Sequence, residues 1–256
     1  MTATVLSKLP SGYRRAHYAV VGSTNDLARA AAEAGNAPDG LLITADYQQT
    51  GRGRAGRAWY SPESPLHVTI VKDLPPQREA AYAQASLVTG VAVHGAVAFH
   101  LPENLRPALR LKWPNDLLFR TRKVGGILVE TTVRQGQSPA AALIGIGLNI
   151  AGVPAAASET AIALHDIGAN IDRDGLLVTL VERFDGAWRQ WVKEGFAPLK
   201  SAWLDRGPPF GQPIMIRDGG ERRAGSFAGL DADGALLFQP ADRPVQRITV
   251  ADVEHL

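Results

Sequence analysis

Arg52, Arg54 and Arg57 stand in the run "GRGRAGR", Gly51–Arg57, separated only by Gly53, Ala55 and Gly56. Guanidinium forks match phosphate and carboxylate oxygens, and glycines let backbone N–H groups approach as well, so the chemistry suggested is anion binding. Two such charges roughly 6 Å apart repel by only about 0.7 kcal/mol in water, but by several-fold more once solvent is excluded. The loop is therefore expected to be mobile when empty and ordered by a polyphosphate or carboxylate. Trp59, two positions further on, offers a face on which a purine could stack. A solvated basic turn and a patch for a nucleic-acid backbone are the competing readings. The same letters also spell the dinucleotide fingerprint G-x-G-x-x-G, which requires a helix to open directly behind it. Instead "AWYSPESPLHVTI" follows, where Pro62, Pro65 and a β-branched run exclude that helix.

Three further segments hold polar groups in apolar surroundings. "LKWPNDLLF", Leu111 to Phe119, sets Lys112, Asn115 and Asp116 around a proline-forced turn between two strands, which alone is a polar hairpin. In "RKVGGILVE", Lys123 precedes Gly125, Gly126 and a buried-looking strand. Glycines there permit a ligand to lie against the backbone while the lysine reaches its charged end. "IGIGLNI" is an apolar strand pierced by Gly145 and Gly147, with Asn149 as its one amide. Each segment taken singly also has a plain sheet-packing reading. The chain has no cysteine, which removes disulfides, thiolate metal sites and cysteine nucleophiles together.

These groups need elements to position them. "HYAVVGSTNDLARAAAEAG" reads as a strand, then a helix started by Ser23 or Thr24, with Asp26 in its first turn and Gly35 ending it. "LLITADY" reads as a strand, and a long helix is expected over Glu79 to His100. Apolar segments at 109–113, 116–119, 125–133 and 140–150 have the short spacing of neighbouring strands in one sheet. Helices near 173–194 and 196–205 carry Trp188, Trp191 and Trp203 at helical spacing, which favours core over ligand site. "RGPPFGQP", Arg206 to Pro213, stops any helix and marks a boundary. Beyond it, "DGG" and "DADG" turns join short strands into a small all-β module of four or five strands, leaning on the larger domain.

With 256 residues, 45% of them apolar and 20% charged, the chain can build one or two packed domains. A net charge of +2 gives no global reason to expect nucleic acid or membrane, so any basic site is local. The N-terminus lacks the apolar core of a signal peptide, and the most apolar later run, Leu87 to Leu101, is broken by Thr89, His94 and His100. A cytoplasmic enzyme is expected.

Taken in order, "GSTNDLA", "YQQTGRGRAGRAW", "KWPNDL", "KVGGILVE" and "GIGLNI" closely resemble the biotin protein ligase family, in the form without an N-terminal DNA-binding domain. The resemblance implies a mixed α/β (α+β) fold: a central sheet flanked by helices over residues 1–208, and an SH3-like C-terminal domain over 209–256. It implies two steps, in which biotin and ATP give biotinyl-5′-adenylate and a lysine of a biotin carboxyl carrier protein then takes the biotinyl group. By the same resemblance Lys123 and Arg52 bring the biotin carboxylate and the α-phosphate together, Arg54 and Arg57 assist the polyphosphate, and Asp116 orients or deprotonates the acceptor lysine. Ser23, Thr24, Asn25 and Gln48, with Gly51, Arg52, Gly53, Arg54, Lys123, Gly125, Gly126 and Gly147, belong to the biotin side. Trp59, Asn115 and Asn149, with the three arginines and Lys123, belong to the ATP side. Magnesium is expected with ATP, through Asn115 or Asp116, or with those residues merely capping the turn. The implied partner is the carrier domain of acetyl-CoA carboxylase or a related carboxylase, met by a monomer or homodimer, with no nucleic acid and no membrane.

The sequence departs from the commonest family form at Ala55, where a third consecutive basic residue often stands, and "AGVPAAASETAIAL" after Asn149 offers no aromatic lid for adenine. Lipoate–protein ligase, which also adenylates its acid, is the nearest rival. Transferases working through a cysteine thioester are excluded by composition.

Overall fold

A computed structural model describes residues 9–60, 64–74, 81–133, 141–218 and 221–255. Strand β1 (Arg14–Val21) ends at Gly22, and Ser23, in extended backbone, caps helix α1 (Thr24–Glu33) by position, without a side-chain capping bond. Asp26 in the first turn suits the helix dipole, and Gly35, at φ 72°, turns the chain out of the helix. Strand β2 (Leu41–Gln48) returns parallel to β1. Strand β3 (Leu66–Asp73), the β-branched run behind the arginine loop, pairs antiparallel with β2.

Helix α2 (Ala81–His100) follows; the expected start at Glu79 lies outside the described residues. Strands β4 (Leu109–Lys112), β5 (Asp116–Phe119), β6 (Arg122–Thr132) and β7 (Ala141–Leu148) complete a seven-stranded sheet in the order β1-β2-β3-β7-β6-β5-β4. Residue 140 lies outside the described residues. β6 begins earlier than the sequence suggested, and Lys123 is inside it. Arg122 and Lys123 pair with Phe119 and Leu118 of β5, and Lys123 also bridges to Ala161, its N–H donating to the Thr160 carbonyl at 2.8 Å.

Helix α3 (Arg173–Glu194) is capped by Asp172, whose carboxylate accepts from the Gly175 N–H, and helix α4 (Ala197–Leu204) follows. By length and composition Tyr82–His100 could cross a membrane, yet it packs against α3, α4 and β6, and burial on several sides is what an apolar helix in a core requires. Trp188, Trp191 and Trp203 are buried in that core, with the Trp191 indole donating to Gln84. α1 covers the other sheet face through small residues, Ala28 and Ala32 against Ile43, Val71 and Leu143.

Strands β8 (Pro213–Asp218), β9 (Glu221–Leu230), β10 (Leu236–Pro240), β11 (Gln246–Ile248) and β12 (Asp252–His255) form a second sheet, all antiparallel, in the order β11-β10-β9-β8-β12. Its thin core of Ile214, Ile216, Phe227 and Phe238 is continuous with the main one. Trp203 lies 6.3 Å from Phe227, and the buried Trp113 indole donates to the Gly234 carbonyl at 3.0 Å. The small sheet is thus anchored beside the turn that carries Asn115 and Asp116.

Candidate active site

The site begins with missing side chains. Across three central strands, His67, Gly147 and Gly126 stand in one register and Thr69, Gly145 and Leu128 in another. Glycine at 126, 145 and 147 leaves the sheet bare between the N-terminus of α1 and the arginine loop, and a cavity of about 290 Å³ opens there. Two of these glycines already accommodate side chains. A Cβ at Gly145 would stand 2.5 Å from Asn25 Oδ1, and one at Gly147 would stand 2.6 Å from the Trp59 ring.

One end of the cavity is polar and buried. Ser23, Thr24, Asn25 and Gln48 are all buried there. Gln48 Oε1 accepts from the Thr24 N–H at 2.9 Å and hydroxyl at 3.1 Å. The Thr69 hydroxyl donates to Asn25 Oδ1 at 2.6 Å and touches Thr24 Oγ1 at 2.8 Å, while Asn25 Nδ2 donates to Glu130 Oε2 at 2.7 Å. Thr69 and Glu130 were missed in the sequence; the available signal was a hydroxyl and a carboxylate inside otherwise apolar strands. Such a constellation offers fixed donors and acceptors to a neutral polar ring.

The other end is cationic. Lys123 Nζ lies 2.6 Å from Asp116 Oδ1 and 5.5 Å from the Trp59 ring centroid, and Lys112 Nζ lies 3.3 Å from Asp116 Oδ2. Burial pushes the Asp116 carboxyl up, but the Lys123 and Lys112 ammoniums pull it down further, so it stays below the ordinary carboxylate range. A carboxylate so held orients lysines well and takes up protons poorly. The lysines that Asp116 orients here are Lys123 and Lys112 of its own chain. Magnesium fits here badly, because both Asp116 oxygens already face ammoniums. Asn115 is engaged as well, donating to the Ile127 carbonyl at 2.8 Å with its oxygen 3.5 Å from Arg54. Among the described residues no group of three or more His, Asp or Glu is placed to hold a metal ion.

The arginine loop makes one tight turn, Arg54–Gly56, and leaves it extended at Arg57, so no helix opens behind the glycines. Ala55 sits at φ 54°, a left-handed position that glycine would occupy at lower cost. Each arginine rests on a partner. Arg52 grips Asp26 through both terminal nitrogens, at 2.6 and 2.7 Å; Arg54 faces Asn115; Arg57 lies 2.5 Å from Asp252 of β12. Asp252, Val253, Glu254 and Arg217 also line the cavity. No local motif announced these four, since β8 and β12 meet the loop only in the folded chain.

Gly53 and Gly126 line the cavity beside Lys123 and the arginines. Gly51 lies outside the lining and is tight against Trp59, where a Cβ would stand 2.7 Å from the Trp59 carbonyl. Gly125 faces Leu148 and the Gly147 carbonyl, so its bareness serves strand packing rather than open space. Asn149 is buried outside the cavity lining and donates to the carbonyls of Lys123 and Ile162 at 3.3 and 3.4 Å, fastening the 160–162 segment to the sheet.

A sequence profile described as the biotin/lipoate A/B protein ligase family matches residues 18–149. The biotin–[acetyl-CoA-carboxylase] ligase of Paracoccus denitrificans is 37% identical over 211 residues, covering 79% of this chain and 86% of that protein. The enzyme of the same description from Mycobacterium tuberculosis is 32% identical, covering 96% of this chain and 91% of its own length. In fold, the chain is similar to biotin protein ligase from Aquifex aeolicus in complex with biotin and ATP, with a TM-score of 0.79 at 24% identity, over 95% of this chain and 99% of that one.

Proposed function

The chain belongs to the biotin/lipoate A/B protein ligase family, and on that premise we propose that it is an ATP-dependent biotin–protein ligase acting on a carrier domain of acetyl-CoA carboxylase or a related carboxylase. The observation that carries this reading is one cavity with a neutral hydrogen-bonding end, Thr24, Asn25 and Gln48, and a cationic end, Lys123, Lys112 and Arg52 to Arg57. An acid with a polar, uncharged head and a carboxylate at the end of a chain matches both ends at once.

In the first step a biotin carboxylate oxygen attacks the α-phosphorus of ATP, forming a mixed anhydride and releasing pyrophosphate. Two anions must meet, and Lys123 with Arg52 supplies the positive charge between them. Asp116 holds Lys123 in place, and Arg54 and Arg57 leave Asn115 and Asp252 for the polyphosphate. The arginine loop closes over the anhydride and keeps water out. In the second step the carrier lysine, having lost a proton, attacks the acyl carbon; an amide forms and AMP leaves. Ser23, Thr24, Asn25 and Gln48 bind the ureido ring. Glycine at 53 and 126 keeps the path to the phosphates open.

ATP–pyrophosphate exchange with biotin and lipoate side by side tests the reading. Exchange with biotin is expected. Exchange with lipoate alone would assign the chain to the lipoate branch.

A further inference from the structure

His67 is 1% exposed, outside the cavity lining and against Trp59, in register with Gly147 on β7 and Ala45 on β2. Its Nε2 lies 3.2 Å from Trp59 Nε1. An indole N–H only donates, so His67 Nε2 must accept, and the ring proton must sit on Nδ1. That Nδ1 is buried and has no hydrogen-bond partner among the described residues. Burial, with the Arg173 charge adding to it, drops the His67 pKa to about 4, so the ring is neutral and able to accept across the working range. An apolar side chain would fill this space without an orphaned donor, so packing does not account for a histidine here. The bond to Trp59 does.

Trp59 has much to hold. Its ring covers Gly147 and approaches Gly126, Lys123 Nζ stands over it at 5.5 Å, and the Trp59 backbone N–H donates to the Gly51 carbonyl at 2.8 Å, closing the base of the arginine loop. The in-plane angle of the indole therefore sets both the width of the cavity and the root of the loop. We infer that His67 is a positioning residue for the adenylation step: it fixes the Trp59 ring flat on the Gly126–Gly147 patch, and through it the wall against which the acid's chain lies.

This inference rests on the ligase reading for its substrate, but its geometry can be tested without one. His67→Gln keeps an acceptor, and His67→Met fills the space without one; each is made in the parent and in Trp59→Phe. Two readouts are taken: the indole N–H resonance that Trp59→Phe removes from the amide NMR spectrum, and KM for biotin against kcat in pyrophosphate exchange. His67→Met is expected to shift that resonance and raise KM for biotin about fivefold, the worth of one neutral hydrogen bond, with kcat changed less than twofold. His67→Gln should recover KM to within twofold of the parent. In the Trp59→Phe background His67→Met should add less than twofold, since the bond is already gone. Equal losses in both backgrounds, or a glutamine variant as impaired as the methionine one, would overturn the inference and leave His67 as mere filling. A resonance that shifts as expected in a protein that exchanges no pyrophosphate with biotin would uphold the anchor and sink the ligase reading instead.

Discussion

A single methyl group at Gly145 should do more damage than most side-chain deletions. The Cβ of Gly145→Ala would stand 2.5 Å from Asn25 Oδ1, 3.1 Å from its Cγ and 3.2 Å from Nδ2, whereas ordinary contacts begin near 3.4 Å. β7 is hydrogen-bonded on both sides, to β3 and β6, so the strand cannot yield. Asn25 must retreat by about 0.9 Å, which stretches its 2.6 Å bond from Thr69 to the limit of hydrogen bonding and disturbs the 2.7 Å bond to Glu130. Overpacking costs roughly 1–3 kcal/mol and the weakened buried bonds about another 1 kcal/mol. The sum is about 2–4 kcal/mol, read by urea unfolding, or a fall in Tm of roughly 5–12 °C. KM for biotin should rise tenfold or more, because Asn25 belongs to the polar end of the cavity. Gly186→Ala is the matched control: nothing stands within 4 Å of its Cβ in the middle of α3, so the same substitution should stabilise by about 0.5–1 kcal/mol. Adding Asn25→Ala to Gly145→Ala should cost less than the two separate losses combined, since the clash has lost its partner. A Gly145→Ala protein within 0.5 kcal/mol of the parent would refute this reasoning.

Acid should weaken the fold through two buried histidines. His67 and His94 both fall from 6.5 to about 4 on burial, so between these values the unfolded chain binds more protons and stability drops as pH is lowered. For the fully buried His67 the loss reaches about 2 kcal/mol by pH 5, and His67→Gln should flatten the pH dependence of urea unfolding by that amount; an unchanged slope counts against the buried neutral ring. Lys123→Met should lower kcat of pyrophosphate exchange by roughly 10²–10³ while the protein stays folded, and a loss under tenfold would remove Lys123 from the reacting centre. Trypsin should cut after Arg54 and Arg57 more slowly with biotin and ATP present, and identical cleavage rates would end the idea of a closing loop. Asp252→Ala removes an exposed pair, so stability should change by less than about 1 kcal/mol, yet cleavage of the empty loop should speed up.

The elements were legible because each has a local cause. Ser23 with Asp26 opens α1, the DADG turn joins β9 to β10, and Pro208 and Pro209 end the helical stretch before the small sheet. The cationic half of the site was legible for the same reason: Lys123, Arg52, Arg54 and Arg57 lie in short runs whose charge and glycine content suit one chemistry. What local pattern does not encode are neighbours that come from far along the chain: Gly125 lies against Leu148, and Asn149 fastens the 160–162 segment. The arginines looked free, but the fold gives each a partner, Asp26, Asn115 and Asp252.

The sequence by itself determined which groups could do the chemistry, because charge, glycine freedom and proline stops act within a few residues. Only the tertiary structure decided how those groups are restrained. Asp116 lies between two lysines, β12 reaches the arginine loop, and His67 accepts the hydrogen bond of the Trp59 indole, since such pairings depend on distances in space that a linear spacing does not encode.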